Sequence, residues 1–322
     1  MDTLTSRVKS RARALGFTGV GIARAEPLDE EGERLRRWLE RGYQASMGWM
    51  ARSEERRRDP ALVLPGARSV IAVALNYYTG VQHEEGGGRV SRYAWGDDYH
   101  DVLGAKLGEL RDWLLTLTPQ AGAKAYVDTG PVMDKAWAVR AGIGWLGKHT
   151  NVITRDVGSW VFLGEILTTL ELEPDGASPD RCGTCTLCIE ACPTGAIVEP
   201  YVVDSNLCLS YLTIEHRGPV EGEVKGQFEG WIYGCDTCQD VCPWNLKFGT
   251  PTDIPEFQPR EGFASPPLEE WRGMDQAEFS ARFRRSPVKR AKHEGLMRNI
   301  DIVLGRSDPG QALPSSHPVK DI

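Results

Sequence analysis

The sequence predicts an α+β fold in three parts: an N-terminal α/β unit over residues 1–170, a small cysteine-rich unit over 171–250, and a short helical C-terminal region over 251–322. Three observations carry this. Strand-like and helix-like stretches alternate up to about residue 170, the pattern of a layered sheet-and-helix domain. All eight cysteines lie between Cys182 and Cys242. Glu171–Asp180, with two prolines and four acids, reads as the linker between the first two parts.

Taken in order, Leu4, Val8, Ala12 and Leu15 recur at helical spacing, and Gly16 suits the helix end. Phe17–Ile22 reads as a strand and Leu28–Arg41 as a helix. The apolar run Ser69–Leu75 reads as a strand buried on both faces. Gly86–Gly88 is expected to be a mobile loop. From Tyr99 the residues Val102, Leu103, Leu107, Leu110, Trp113, Leu114 and Leu117 line one helical stripe. Lys124–Val127 reads as a strand ending in the turn Asp128-Thr-Gly-Pro131. Pro131 suits the first turn of a helix that carries Asp134, Lys135 and Arg140 and stops near Gly142. A glycine-rich loop, Gly144–Asn151, leads to a further apolar strand, Trp160–Leu170. Glu269–Met297 is expected to be mostly helical with a break near Pro287, and Ser307–Ile322 to be a loosely held tail.

The cysteines read Cys182-x2-Cys185-x2-Cys188-x3-Cys192-Pro193, then Cys208, then Cys235-x2-Cys238-x3-Cys242-Pro243. A C-x2-C-x2-C-x3-C-P run is the bacterial ferredoxin spacing, in which the last cysteine ligates the neighbouring cluster. Aligning Cys242 with Cys192 puts Ile232 where the second run lacks its first ligand, so Cys208 must supply it. Crossed ligation then predicts one [4Fe-4S] cluster on Cys182, Cys185, Cys188 and Cys242. The other falls on Cys192, Cys208, Cys235 and Cys238. Zinc sites favour paired knuckles without the C-x3-C-P ending, and disulfides are rare in reducing compartments.

Met1–Gly16 lacks an apolar run of signal-peptide length and no window reaches a membrane span, so the expected location is cytoplasmic, with no membrane partner. The net charge of −7 does not announce a nucleic-acid binder, but Arg282–Arg298 holds seven basic residues against one acid. Such a run is either a solvated helix face or a phosphate contact. Neither a GxGxxG nor a P-loop pattern argues for a dinucleotide or ATP site.

Four motifs are familiar: Arg92–Leu103 (RYAWGDDYHDVL), Val127–Asp134 (VDTGPVMD), Gly142–Ile153 (GIGWLGKHTNVI) and Tyr233–Pro243 (YGCDTCQDVCP). Together they resemble epoxyqueuosine reductases, over nearly the whole chain to about residue 305. The resemblance implies a cobalamin-binding N-terminal fold and two [4Fe-4S] clusters. It implies an oxidoreductase that reduces epoxyqueuosine to queuosine at the wobble position of the tRNA anticodon, the last step of queuosine biosynthesis. It further implies an external low-potential electron donor, and the expected state is a monomer. Longer members of that family carry a C-terminal helical repeat domain, whereas this sequence runs about 80 residues past Cys242.

By its match to the family motif, Asp134 is the candidate catalytic acid. In the first turn of a helix, the dipole alone would lower its pKa, so burial has to raise it for acid work. Asp97, Tyr99, His100, Arg140 and Lys148 are the further candidates for the cofactor pocket. Asp98, His100 and Gly104 come near the Asp-x-His-x-x-Gly motif of proteins that ligate cobalt through histidine, but the glycine falls one residue late. His100 is therefore read as a helix-start or pocket-wall residue. Two other classes share parts of the pattern: a cobalamin-dependent reductive dehalogenase, and a ferredoxin-like electron carrier, which would not need so large an N-terminal unit.

Overall fold

The computed structural model describes residues 3–84 and 86–306. Its N-terminal part is built from α1 (Leu4–Ala14), β1 (Gly19–Arg24), α2 (Asp29–Glu40), β2 (Ser69–Asn76), α3 (Tyr99–Leu117), β3 (Ala123–Tyr126), α4 (Asp134–Arg140) and β4 (Val161–Thr168). The four strands form one sheet in the order β1-β2-β4-β3, and every neighbouring pair is antiparallel. The α+β class holds. Within it, the N-terminal unit expected as α/β has no parallel pair in this sheet.

Strand β2 is buried along its whole length, as its apolar run predicts. Side chains alternate across a strand, so its two faces meet different helices. Ile71, Val73 and Leu75 pack with Val8 and Ala12 of α1 and with Leu103, Leu107, Leu110 and Leu114 of α3. Val70 and Ala72 pack on the other side with Leu28, Trp137, Ala141 and Leu167. Each large apolar side chain removed from water here contributes about 1.5–3 kcal/mol. Gly21 lets α4 approach the sheet: a Cβ there would stand 1.9 Å from the Ala141 carbonyl oxygen. Close seating of α4 fixes the height of Asp134 above the sheet.

Helix α4 begins at Asp134, later than Pro131 suggests. Asp128, with φ 54°, turns the chain back on itself first, and the segment between is irregular. In the Gly86–Gly88 stretch, expected to be mobile, Gly87 and Gly88 run against Ser265–Leu268, where the Gly88 N–H donates to the Pro266 carbonyl (3.0 Å).

The C-terminal region is helical with two breaks. Leu268–Arg272 and Gln276–Arg282 are separated by the Asp275–Glu278 capping box, and a 3₁₀ turn at Pro287–Ala291 precedes Lys292–Val303. This region packs in one core with both other parts. Val90 and Trp95, Ile232 and Tyr233, and Phe263, Trp271, Phe283, Leu296 and Ile300 share it. Arg89–Val90 also pairs in parallel with Trp231–Tyr233. Ser307–Ile322, expected as a tail, lies outside the described residues. Among the described residues, no helix is long and apolar enough to cross a membrane.

Candidate active site and cluster cavities

The eight cysteines fall into two groups of four. Cys182, Cys185, Cys188 and Cys242 line one cavity of ≈ 130 Å³ together with Lys148, His149 and Trp244. Cys192, Cys208, Cys235 and Cys238 form the second group. Burial pushes the Cys238 thiol up, and Cys235, Cys208 and Cys192 push it further. Burial likewise raises Cys208, with Cys192 adding to it. Burial and neighbouring thiols oppose ionisation of Cys208, Cys235 and Cys238, so thiolates there need a cationic partner, which suits iron.

The walls of the first cavity fit a cluster as well. His149 is buried, and burial with Lys135 nearby lowers its pKa to about 4, so the ring is neutral. Its Nδ1 accepts from the Asn151 N–H (3.2 Å), which puts the proton on Nε2. That Nε2 is a buried donor with no acceptor among the described residues, and the Trp145 N–H is directed at Cys182, whose ionisation it favours against burial. Trp145 packs against Cys182 and Cys242. Both N–H groups are placed to serve cluster or thiolate sulfur. Lys148 Nζ donates to the carbonyls of Gly183 (2.7 Å) and Cys185 (2.8 Å) and so holds the first cysteine loop.

A second set of groups converges where α4 meets β4. Asp134 opens α4 and is half-buried, while Glu165 in β4 has no exposed surface. Burial raises the Asp134 pKa, which contact with Glu165 partly offsets. Burial also raises Glu165 well above the carboxylate range, with the Asp134 charge adding to it. Asp128 approaches from the turn after β3, its N–H pointing to Asp134 Oδ1 at 3.4 Å. Tyr99 donates to Asp128 Oδ2 (2.7 Å) and stacks on Phe162 at 4.4 Å.

Lys135, the next residue on α4, donates to Asn151 Oδ1 (3.0 Å). It keeps exposed surface, yet the surrounding protein strips enough water to lower its pKa, with Asp128 opposing. Accessible surface inside such an enclosure describes the wall of a cleft. Cys238 and Cys208 act on the Lys135 charge from across that cleft. A recess of ≈ 70 Å³ beside Lys135 is lined by Tyr77, Lys135, Asn151, Ser159, Leu163 and Gln239, among others.

The predicted pocket residues divide. Tyr99 faces the carboxyl group cluster, and His100 stacks on Tyr99 at 4.1 Å while bonding Asp98 (2.7 Å). Burial pulls the His100 pKa down, but the Asp98 bond outweighs it and the net shift is upward. Asp97 is paired with Arg260 (2.6 Å), and Arg140 is held by Glu31 (2.8 Å) at the far end of α4. Lys148 serves the cysteine loop. None of these three joins Asp134. The sequence motifs do not single out Glu165, Gln239 or the cleft role of Lys135. A lone acid inside the apolar run Val161–Thr168 is the available signal for Glu165.

Comparison with known proteins decides the family. Epoxyqueuosine reductase from Gloeobacter violaceus is 49% identical over 323 residues, covering 98% of this chain and all of that one. The chain belongs to the epoxyqueuosine reductase family. A second epoxyqueuosine reductase, from Synechocystis, is 50% identical over 281 residues, 86% of this chain and 96% of that one. Two domain descriptions agree: "Epoxyqueuosine reductase QueG, DUF1730" matches residues 57–129, and "4Fe-4S double cluster binding domain" matches 181–245. Among solved structures, an epoxyqueuosine reductase with an epoxyqueuosine-modified tRNA-Tyr stem loop superposes with a TM-score of 0.87 at 33% identity. It covers 94% of this chain and 80% of that one. The Streptococcus thermophilus enzyme gives 0.84 at 31%, with 94% and 81% covered. As an epoxyqueuosine reductase family member the chain is an oxidoreductase, which sets aside the dehalogenase and the electron-carrier readings.

Proposed function

We propose that this chain reduces epoxyqueuosine to queuosine in the wobble position of tRNA, using cobalamin and two [4Fe-4S] clusters. One juxtaposition supports the reading most: α4 carries a buried-carboxyl acid, Asp134, and beside it Lys135 facing the Cys238 loop across one cleft. Losing the epoxide oxygen as water consumes two electrons and two protons. The cleft joins a proton source to the edge of an electron relay.

Cobalamin, when bound, supplies a low-valent cobalt nucleophile for the strained ring carbon. The recess fits part of it. Tyr77, Lys135, Asn151, Ser159 and Gln239 offer hydroxyl, ammonium and amide groups around ≈ 70 Å³, room for a carboxamide arm of a corrin rather than its ring. These residues would hold the rim of the cofactor. Asp134 would place an acidic proton next to Lys135 of the recess, and Tyr99 fixes the Asp128 carboxylate beside it. Cys182, Cys185, Cys188 and Cys242 would bind one cluster, and Cys192, Cys208, Cys235 and Cys238 the cluster nearer the cleft. Electrons would come from an external low-potential donor to a cytoplasmic monomer.

Nucleoside mass spectrometry tests this. tRNA from a strain lacking the gene is treated with the reduced, fully loaded protein. Epoxyqueuosine should disappear as queuosine appears, and an unchanged nucleoside profile would overturn the assignment.

A further inference from the structure

Asp134, in the first turn of α4, and the fully buried Glu165 of β4 lie close enough that each acts on the other's charge. In β4, Phe162, Gly164 and Ile166 face α3, while Leu163, Glu165 and Leu167 face α4. Glu165 is thus aimed from the sheet interior at the first turn of α4. Neither of its oxygens meets a donor among the described residues. Ionised carboxylates only accept, so two of them in contact cannot satisfy each other until a proton sits between them.

The surroundings supply no substitute for that proton. Asp128 adds a third acid. Tyr126 is the cross-strand partner of Glu165, and Tyr99 gives its hydroxyl to Asp128. The cations that face the group are Arg57 and Lys135. Arg57 donates to the Val132 carbonyl (3.0 Å) and Ser53 (3.1 Å), and Lys135 to Asn151.

We propose that Glu165 is the proton-holding partner of Asp134: the two carboxyls share one proton, which reaches the substrate only through Asp134, the member of the pair with exposed surface. Glu165 acts through Asp134, as a positioning residue. The inference rests on the reading of Asp134 as the acid of an epoxide reduction. In that reaction both carbon–oxygen bonds of the epoxide break and a carbon–carbon π bond forms. Two electrons come from the reductant and two protons complete water. Each proton passes through Asp134. Its departure leaves two carboxylates face to face, which draws the next proton from the cleft. Sharing keeps the acid loaded at a pH where a lone aspartate would be ionised.

The full-length, cluster- and cofactor-loaded protein is compared with Glu165→Gln by two readouts. The infrared stretch of protonated carboxyl groups is followed as pH rises, and single-turnover rate is measured over the same range. Wild type should retain a protonated carboxyl through neutral pH. In Glu165→Gln that band should vanish near neutrality, because the amide donates to the Asp134 carboxylate and Asp128 is left as the one acid that opposes its charge. The alkaline limb of the rate profile should move toward acid, lowering the rate at the high-pH end about tenfold for every pH unit the limb moves, and far less at the low-pH end. The same band and the same limb in both proteins would overturn the proposal. If Glu165→Gln does not fold, Asp134→Asn decides: loss of the protonated band at neutral pH, with the new amide donating to an ionised Glu165, supports the shared proton, and an unchanged band overturns it by showing that Glu165 holds its proton through burial alone. Failure of wild type to reduce epoxyqueuosine would sink the function while leaving the infrared result to stand.

Discussion

Arg92 Nη1 lies 3.2 Å from Asp236 Oδ2, with the two side chains only 4% and 1% exposed. Asp236 sits between Cys235 and Cys238, and it also accepts from Ser91 Oγ and from the Arg92 N–H (2.8 Å). One buried carboxylate therefore ties the Arg92 motif to the second cysteine loop. Removing one partner strands the other charge away from water. Arg92→Leu is expected to cost about 3–5 kcal/mol, measured by denaturant unfolding of the loaded protein. A loss under about 1 kcal/mol, the range of exposed pairs, would mean that water reaches the site.

Cys208 is the isolated member of the second cysteine group, placed there at the start of the helix that begins at Leu209. Cys208→Ser should lower iron from about eight to about four per chain, as expected for one cubane lost of two. Electron paramagnetic resonance should then show a single reduced cluster. Two unchanged cluster signals would remove Cys208 from the ligand set.

Asp134→Asn preserves shape and can still bond to Glu165, but it has no proton to give. Turnover should fall by roughly two to four orders of magnitude, the usual share of a general acid. Iron content and cofactor loading should be unaltered. Near-normal single-turnover rates would hand the role to another group on the cleft wall, Tyr99 first.

The basic run from Arg282 to Arg298 is thinner as a surface than as a sequence. Arg298 is buried and donates to the carbonyls of Leu212 (2.6 Å), His216 and Gly218. Arg282 pairs with Glu270 and Arg290 with Glu215. Arg284, Lys289 and Lys292 are exposed and carry no ion pair among the described residues. If these three meet tRNA phosphates, reversing Arg284 and Lys289 to Glu should reduce the slope of log affinity against log salt by roughly 0.7–0.9 per contact. An unchanged slope would assign the run to packing and solvation.

The cysteine grouping is legible in the chain because the cysteines of each group are mostly local: two short loops and one outlier leave few arrangements. The layered fold is legible too, since β2 is apolar throughout and α3 keeps a strict stripe. Strand direction is not, because a run such as Ser69–Asn76 reads the same beside a parallel or an antiparallel neighbour. The carboxyl pair is the other gap. Asp134 and Glu165 meet only through the packing of α4 on β4, and that packing depends on features such as Gly21 beneath Ala141. Arg140 misleads for the converse reason: it shares a helix with Asp134, but one helix offers several faces, and its own turns toward Glu31.

The core that joins Val90, Ile232 and Phe283 sets an order of events during synthesis. The strand Arg89–Val90 leaves the ribosome well before its partner Trp231–Tyr233, and both precede the C-terminal helices that cover them. Until Lys292–Val303 emerges, the loop bearing Cys235 and Cys238 has no completed backing, so iron binding at the second cysteine group is expected to follow translation. Nascent chains stalled before residue 283 should accordingly take up iron poorly at Cys192, Cys208, Cys235 and Cys238, and full uptake by such chains would contradict this order.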